Sequence, residues 1–157
     1  MGESPTQPKL VAELQILRTR HPPVTYLHQL CDLLATENIS ITPDELNQRL
    51  DDLPSKERLL LAVEGDTLIG YAHLRVVHDI SHGAMAEVAA ILIQPHRRRQ
   101  RFGQRLIAAA ESWARQAQST ELLLRCDVAH SAGHAFYTAL GYQQNVTQLE
   151  FIRNLHS

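Results

Sequence analysis

Hydrophobic side chains recur along this chain with two periods, near 2 and near 3.6 residues, and their order lays out its elements. From Val11 to Leu17 apolar residues alternate around Glu13 and Gln15, which predicts a strand that His21-Pro22-Pro23 brings to an end. Leu27, Leu30, Cys31 and Leu34 then repeat at helical spacing, giving a helix expected over 24–37. Thr42-Pro43-Asp44-Glu45 has the form of a capping box with Pro at the first helical position, and Leu46, Leu50 and Leu53 continue it as a second short helix ended near Pro54. The runs Leu59–Val63 and Thr67–Val77 flank Glu64-Gly65-Asp66, so they read as two antiparallel strands joined by a tight turn.

After a polar loop expected at 78–83, Met85–Gln94 is apolar on both faces, as a central strand covered on both sides would be, and Glu87 is its only charge. From Phe102 the stripe Leu106, Ala110, Trp113, Ala117 marks a helix, and Glu121–Val128 a further strand. Strand, helix and strand in this order form a crossover, so 85–94 and 121–128 should be parallel. Ser131 is expected to cap a last helix that ends at Leu140-Gly141, and Tyr142 onward to give one or two antiparallel strands finishing near Phe151–Leu155. No repeat or linker interrupts the pattern, so a single domain is expected over 1–157, with 1–7 flexible.

Composition narrows the function classes. The 157 residues are 44% hydrophobic, enough for one good core. A net charge of −2 argues against nucleic acid or an anionic membrane as partner, so the basic run at 97–101 has to be read locally. Cys31 and Cys126 are too few for a disulfide framework and have no Cys or His set at zinc spacing, so no metal is expected. No window approaches the roughly 18 apolar residues of a membrane span, and a cytoplasmic protein is expected.

A strand entering a turn and then a helix leaves backbone N–H groups unpaired where the helix dipole favours negative charge, which suits phosphate. Here the turn is His96-Arg97-Arg98-Arg99-Gln100-Arg101-Phe102-Gly103-Gln104, so cations add to the amides and Gly103 permits close approach. By themselves these residues fit a phosphate cradle or a solvated basic helix start. Ile93-Gln94-Pro95 followed by Arg98-x-x-Arg101-x-Gly103, however, resembles motif A of the GNAT superfamily of N-acetyltransferases, and Phe136-Tyr137-x-x-Leu140-Gly141-Tyr142 resembles its motif B. The two stand in order, at the right separation and in the right elements; the likeness covers 57–155 well and the first two helices in outline.

The resemblance implies an α/β GNAT fold: a central mixed, mostly antiparallel sheet of six to seven strands with one parallel pair (85–94 and 121–128), flanked by about four helices. It implies direct transfer of an acetyl group from acetyl-CoA to a primary amine. The alternative is a module that keeps the fold and binds acyl-CoA or a protein without turnover, suggested by two departures from the family pattern. Arg101 stands where the family usually has Gly; a positive φ there would cost about 1–2 kcal/mol, unless the arginine keeps φ negative and aims at a phosphate. His130 stands where motif B often has Asn.

Residue by residue, the resemblance implies that Arg98, Arg99, Gln100, Arg101, Phe102, Gly103 and Gln104 hold the cofactor pyrophosphate. Ile91, Leu92 and Ile93 would contact pantetheine through main chain, with one of their N–H groups receiving the oxyanion, and His130 would stand in for the motif B Asn. Acyl transfer to an amine also needs a proton acceptor and a proton for the leaving thiolate. Glu87, an in-strand carboxylate at the distance before motif A where the histone-acetyltransferase branch has its base, fits that role or an ion pair with one of the many arginines. Tyr137 fits protonation of the coenzyme A sulfur, or packing beside Phe136. Exposed last strands favour a homodimer.

Overall fold

The computed structural model describes Gly2 and residues 13–156. The chain falls into two compact units, residues 1–124 and 125–157.

The first unit is built on a five-stranded sheet in the order β1 (Leu14–Thr19), β2 (Arg58–Glu64), β3 (Thr67–Asp79), β4 (Gly83–Ile93), β5 (Leu122–Leu124). The first three pairings are antiparallel and β4–β5 is parallel. One face carries α1 (Val24–Ala35) and α2 (Pro43–Asp51), which bury Leu27, Leu30, Leu33, Leu46 and Leu50 against Leu59, Leu61, Val63 and Leu68 of β2 and β3. The other face carries α3 (Phe102–Gln116), whose Leu106, Ala110, Trp113 and Ala114 pack on Leu60, Ala62, Ile69, Ala72, Leu74, Ala86 and Val88. Successive β2 residues thus feed alternate cores, as the pleat requires. Thr42 caps α2 as its sequence indicated, its hydroxyl accepting from the Glu45 N–H at 3.2 Å. In the second unit the regular element is α4 (Ser131–Ala139).

Several expectations need correction. The first strand begins at Leu14 and continues to Thr19; Val11 and Ala12 of the expected run, like nearly all of 1–7, lie outside the described residues. The polar stretch at 78–83 is no loop. β3 runs on to Asp79 and β4 starts at Gly83, because ladder hydrogen bonds need no apolar side chain; the three-residue turn between them is closed by the Asp79 carboxylate, which accepts the His82 N–H at 2.6 Å. That bond holds the Asp79 carboxyl below its ordinary range.

The parallel strand expected over 121–128 is three residues long. Its ladder with β4 stops at Val88↔Leu124, next to a bulge in β4. α4 is headed by His130, not capped by Ser131: the His130 carbonyl already accepts the His134 N–H, which makes Ser131 the first helical residue. No strand follows it among the described residues, so the sheet has five strands and not six or seven. Leu149, Phe151, Ile152 and Leu155 are exposed there. An alternating pattern specifies which face a strand would bury but supplies no neighbour to pair with. Among the described residues no helix is long and apolar enough to cross a membrane.

Candidate active site

The bulge in β4 organises the site. His73 of β3 faces Ala90 and Leu74 faces Val88, so Ala89 is one residue more than β3 has to match. β5 pairs only with Ala86–Val88, before the bulge, and β4 continues four residues past it. From Ala89 to Ile93 the strand is half-buried instead of covered on both sides, and its β5-side backbone lies outside the β4–β5 ladder. Ile91, Leu92 and Ile93, the expected main-chain contacts, fall in this stretch.

β4 leads through a 3-10 turn (Pro95–Arg97) into the start of α3. Arg101 occupies the N-cap position at φ 67°, ψ 11°, and Arg99 also has positive φ, at 65°. The first of the two outcomes foreseen for Arg101 is therefore realised: the position requires a left-handed backbone and a side chain bears it. α3 has neither a capping side chain nor an acidic residue in its first turn, so its leading N–H groups and dipole end are unanswered by any anion of the helix itself. Alternating left-handed residues ahead of such a start bring backbone N–H groups together as an anion-binding concavity.

The arginines divide into two sets. Arg97 is committed to the fold: it pairs with Glu64, donates to Gln100 Oε1 at 3.1 Å, and lies 4.9 Å over the Phe102 ring. Arg98 stands 3.6 Å from Glu37. Arg99, Arg101 and Arg105 are exposed and form no ion pair among the described residues. Arg105, one turn into α3, is absent from the sequence-derived set, although its helical spacing from Arg101 could have suggested it. Gln100 and Gln104 are exposed, and Phe102 and Gly103 half-buried. Arg101→Gly should release about 1–2 kcal/mol of backbone strain against about 0.5–1 kcal/mol of added chain entropy. The ligand-free protein is expected to melt about 1–4 °C higher; an unchanged or lower Tm would mean that the turn stores no such strain.

On the α1/α2 face of the sheet the apolar core gives out at Tyr71 and Leu92, and a polar row takes over. Tyr71, His73 and Arg75 alternate along β3, with Glu87 of β4 opposite Arg75. Glu87 is fully enclosed, both oxygens accepting from the Arg75 guanidinium, Nε at 3.2 Å and Nη2 at 3.1 Å. The ion pair is one of the two readings its sequence allowed, and the carboxylate has no exposure to solvent. Glu57, just before β2, is also buried and lies 2.7 Å from His73 Nε2. Burial, and secondarily the charge of Glu37, pushes the Tyr71 phenol up. Glu57, His73 and Arg75 were missed by sequence reasoning. The signal was three polar side chains at alternate positions of a strand whose partner β2 is apolar on that face.

In the second unit, Tyr137 packs against Phe136 (ring centroids 5.3 Å apart) and edge-on to Tyr142 (6.2 Å). Burial, then the neighbouring Cys126, pushes its phenol up. His130 is exposed, with Nδ1 3.7 Å from Cys126 Sγ and the ring beside Gly133, where a Cβ would come within 2.6 Å of Nδ1. The Cys126 thiol is itself pushed up by burial and by Asp127, so it stays a thiol.

Residues 27–142 match the acetyltransferase (GNAT) family. The aminoglycoside N(6')-acetyltransferase type 1 of Stenotrophomonas maltophilia is 30% identical over 105 residues, 64% of this chain and 68% of that protein. The aminoalkylphosphonate N-acetyltransferase of Salmonella typhimurium is 29% identical over 86 residues, 54% of this chain and 56% of that protein. Among solved structures, AAC(6')-Iy in complex with the bisubstrate analog CoA-S-monomethyl-acetylneamine superposes with a TM-score of 0.77 at 16% identity, covering 91% of this chain and 99% of that one. At that identity the likeness speaks for the fold.

Proposed function

Because the chain belongs to the GNAT acetyltransferase family, it is an enzyme that moves an acetyl group from acetyl-CoA to an amine, and we propose that the amine is carried by a small polar molecule, an amino sugar first among them. Support for the acceptor class comes from the two relatives, both named for acetylating small-molecule amines. Support for the cofactor site comes from one segment, in which the opened stretch of β4 runs directly into an uncapped, carboxylate-free helix start flanked by unpaired arginines.

In this reading the pyrophosphate lies on the leading N–H groups of α3, with Arg99 and Arg101 as its cations and Arg98, Gln100, Phe102, Gly103 and Gln104 completing the turn. Pantetheine extends along Ile91–Ile93 like an added strand, and a backbone N–H of that stretch receives the oxyanion as the amine attacks the thioester carbon. Tyr137 gives the departing thiolate its proton, and His130 serves the cofactor through its backbone more than through its ring. With a net charge of −2 no nucleic-acid partner is part of the proposal.

Thiol release from acetyl-CoA, followed across amino sugars, polyamines, amino acids and lysine peptides, tests the acceptor class. Turnover is expected with amino sugars. Acetylation of lysine peptides alone would overturn the small-molecule acceptor. A rise in Tm with acetyl-CoA but no thiol release with any amine would favour the non-catalytic module.

A further inference from the structure

Glu57 and Glu87 are the buried charged residues among those described, and both lie on the same sheet face. Burying a carboxylate is costly unless it is paired, and here each is paired with a β3 residue, the two being alternate positions of one strand: His73 for Glu57, Arg75 for Glu87. A fold gains little from carrying two such pairs where its neighbours are leucines, which marks the row as a place kept for chemistry.

The two pairs are not equivalent. Arg75 holds Glu87 with two parallel hydrogen bonds, so neither oxygen is offered to a proton donor from outside. His73 is held through one nitrogen only, Nε2 at 2.7 Å from Glu57, and Nδ1 has no hydrogen bond among the described residues. Its side chain is 21% exposed, next to Arg75 at 42%, so the row opens toward solvent in that direction. His73 also faces Ala90 across the ladder, beside the bulge and one residue from Ile91. A ring fixed by a buried carboxylate, on a residue paired with Ala90 of the opened stretch of β4, has the arrangement of a base with its orienting group.

We propose that His73, oriented by Glu57, takes the proton from the acceptor ammonium, resting on acetyl transfer to an amine as set out above. Nδ1 accepts one proton from R–NH3+, freeing the nitrogen lone pair. That pair forms the C–N bond to the thioester carbon, the C–S bond breaks, and the second nitrogen proton is released as the thiolate gains its own. The imidazolium then returns its proton to water, so one acetyl-CoA and one ammonium ion yield one amide, one thiol and one proton. Other charged groups on this face are Arg75 and Glu87, paired with each other, and Glu37 near Tyr71; α1, which packs on β3, turns apolar residues inward and leaves His28 and Asp32 exposed. Glu87 is a positioning residue here, holding Arg75 beside the base.

The test compares the full-length enzyme with His73→Gln and Glu57→Gln on two amines: an alkyl amine, which is an ammonium ion at neutral pH, and a weakly basic amine that arrives already neutral. Thiol release is followed from about pH 6 to about pH 9, over which the free-amine fraction of the alkyl amine changes steeply. With the alkyl amine, His73→Gln should lower kcat/KM about 100-fold or more at neutral pH, a size expected for a lost general base, and Glu57→Gln by less. With the weakly basic amine the loss should stay under about tenfold. The free-amine fraction rises with pH in both proteins; in His73→Gln the activity should follow that fraction alone, whereas the unsubstituted enzyme should depart from it. The rise in Tm caused by acetyl-CoA, retained in both variants, shows that they fold and bind cofactor. Equal losses on both amines, or the same departure from the free-amine fraction in His73→Gln, would overturn the role of His73 alone. No thiol release by the unsubstituted enzyme with any amine would overturn acetyl transfer and this role together.

Discussion

Arg75→Met is expected to cost about 3 kcal/mol of folding stability, lowering Tm by roughly 6–12 °C, an effect out of proportion to removing a side chain that is 42% exposed. The cause lies with its partner. Glu87 is fully enclosed between β3 and its own strand, and taking away the guanidinium that answers both of its oxygens leaves a charge in the core facing Arg75's former place. The pair itself contributes much less, because desolvating two charges offsets most of their attraction. Arg75→Met combined with Glu87→Leu should therefore regain most of the lost stability while turnover falls, since the charged pair beside His73 is gone. Thermal melts of the two variants decide the matter: a double variant no more stable than Arg75→Met would mean that Arg75 acts through packing of its stem and not through the buried carboxylate.

Most of the fold was legible because it is written in periodicity. α1, α2, α3 and the β2–β3 hairpin fall within a few residues of where their apolar spacing put them, and the parallel pairing of β4 with β5 followed from the intervening helix. What periodicity cannot carry is the extent of pairing. The bulge at Ala89 is one alanine among several in Ala86-Glu87-Val88-Ala89-Ala90, with nothing in its chemistry to single it out, yet it determines where β5 stops and where β4 opens. The tail at 142–156 reads as strand material for the same reason that it forms none among the described residues: the pattern names a face and leaves the neighbour unspecified.

The candidate site was legible in proportion to how local its parts are. The Arg97–Gln104 turn is contiguous, so its likeness to motif A could be seen in the sequence; only the backbone could tell that Arg101 is held left-handed and that Arg97 is spent on Glu64 and Phe102. The Glu57–His73 pair joins residues sixteen positions apart through a strand pairing, and no linear motif records it.

Tyr137→Phe should reduce kcat about 100-fold, equivalent to about 2.7 kcal/mol, while leaving the KM for acetyl-CoA nearly unchanged. The ring contacts to Phe136 and Tyr142 survive the change, so the variant should fold and melt like the parent. Burial pushes this phenol up, which has two consequences. Its proton is held throughout the neutral range, present below the shifted pKa and lost only as pH rises through it, so Tyr137 imposes no basic limb below about pH 10. As the proposed acid it would also donate to a thiolate against the gradient of acidity, so its benefit should grow with the basicity of the leaving sulfur. An acyl donor whose thiol is more acidic than coenzyme A departs without needing a proton. With such a donor the loss on Tyr137→Phe should shrink toward a few-fold; a loss of equal size for both donors would assign Tyr137 to holding the cofactor and remove it from proton transfer.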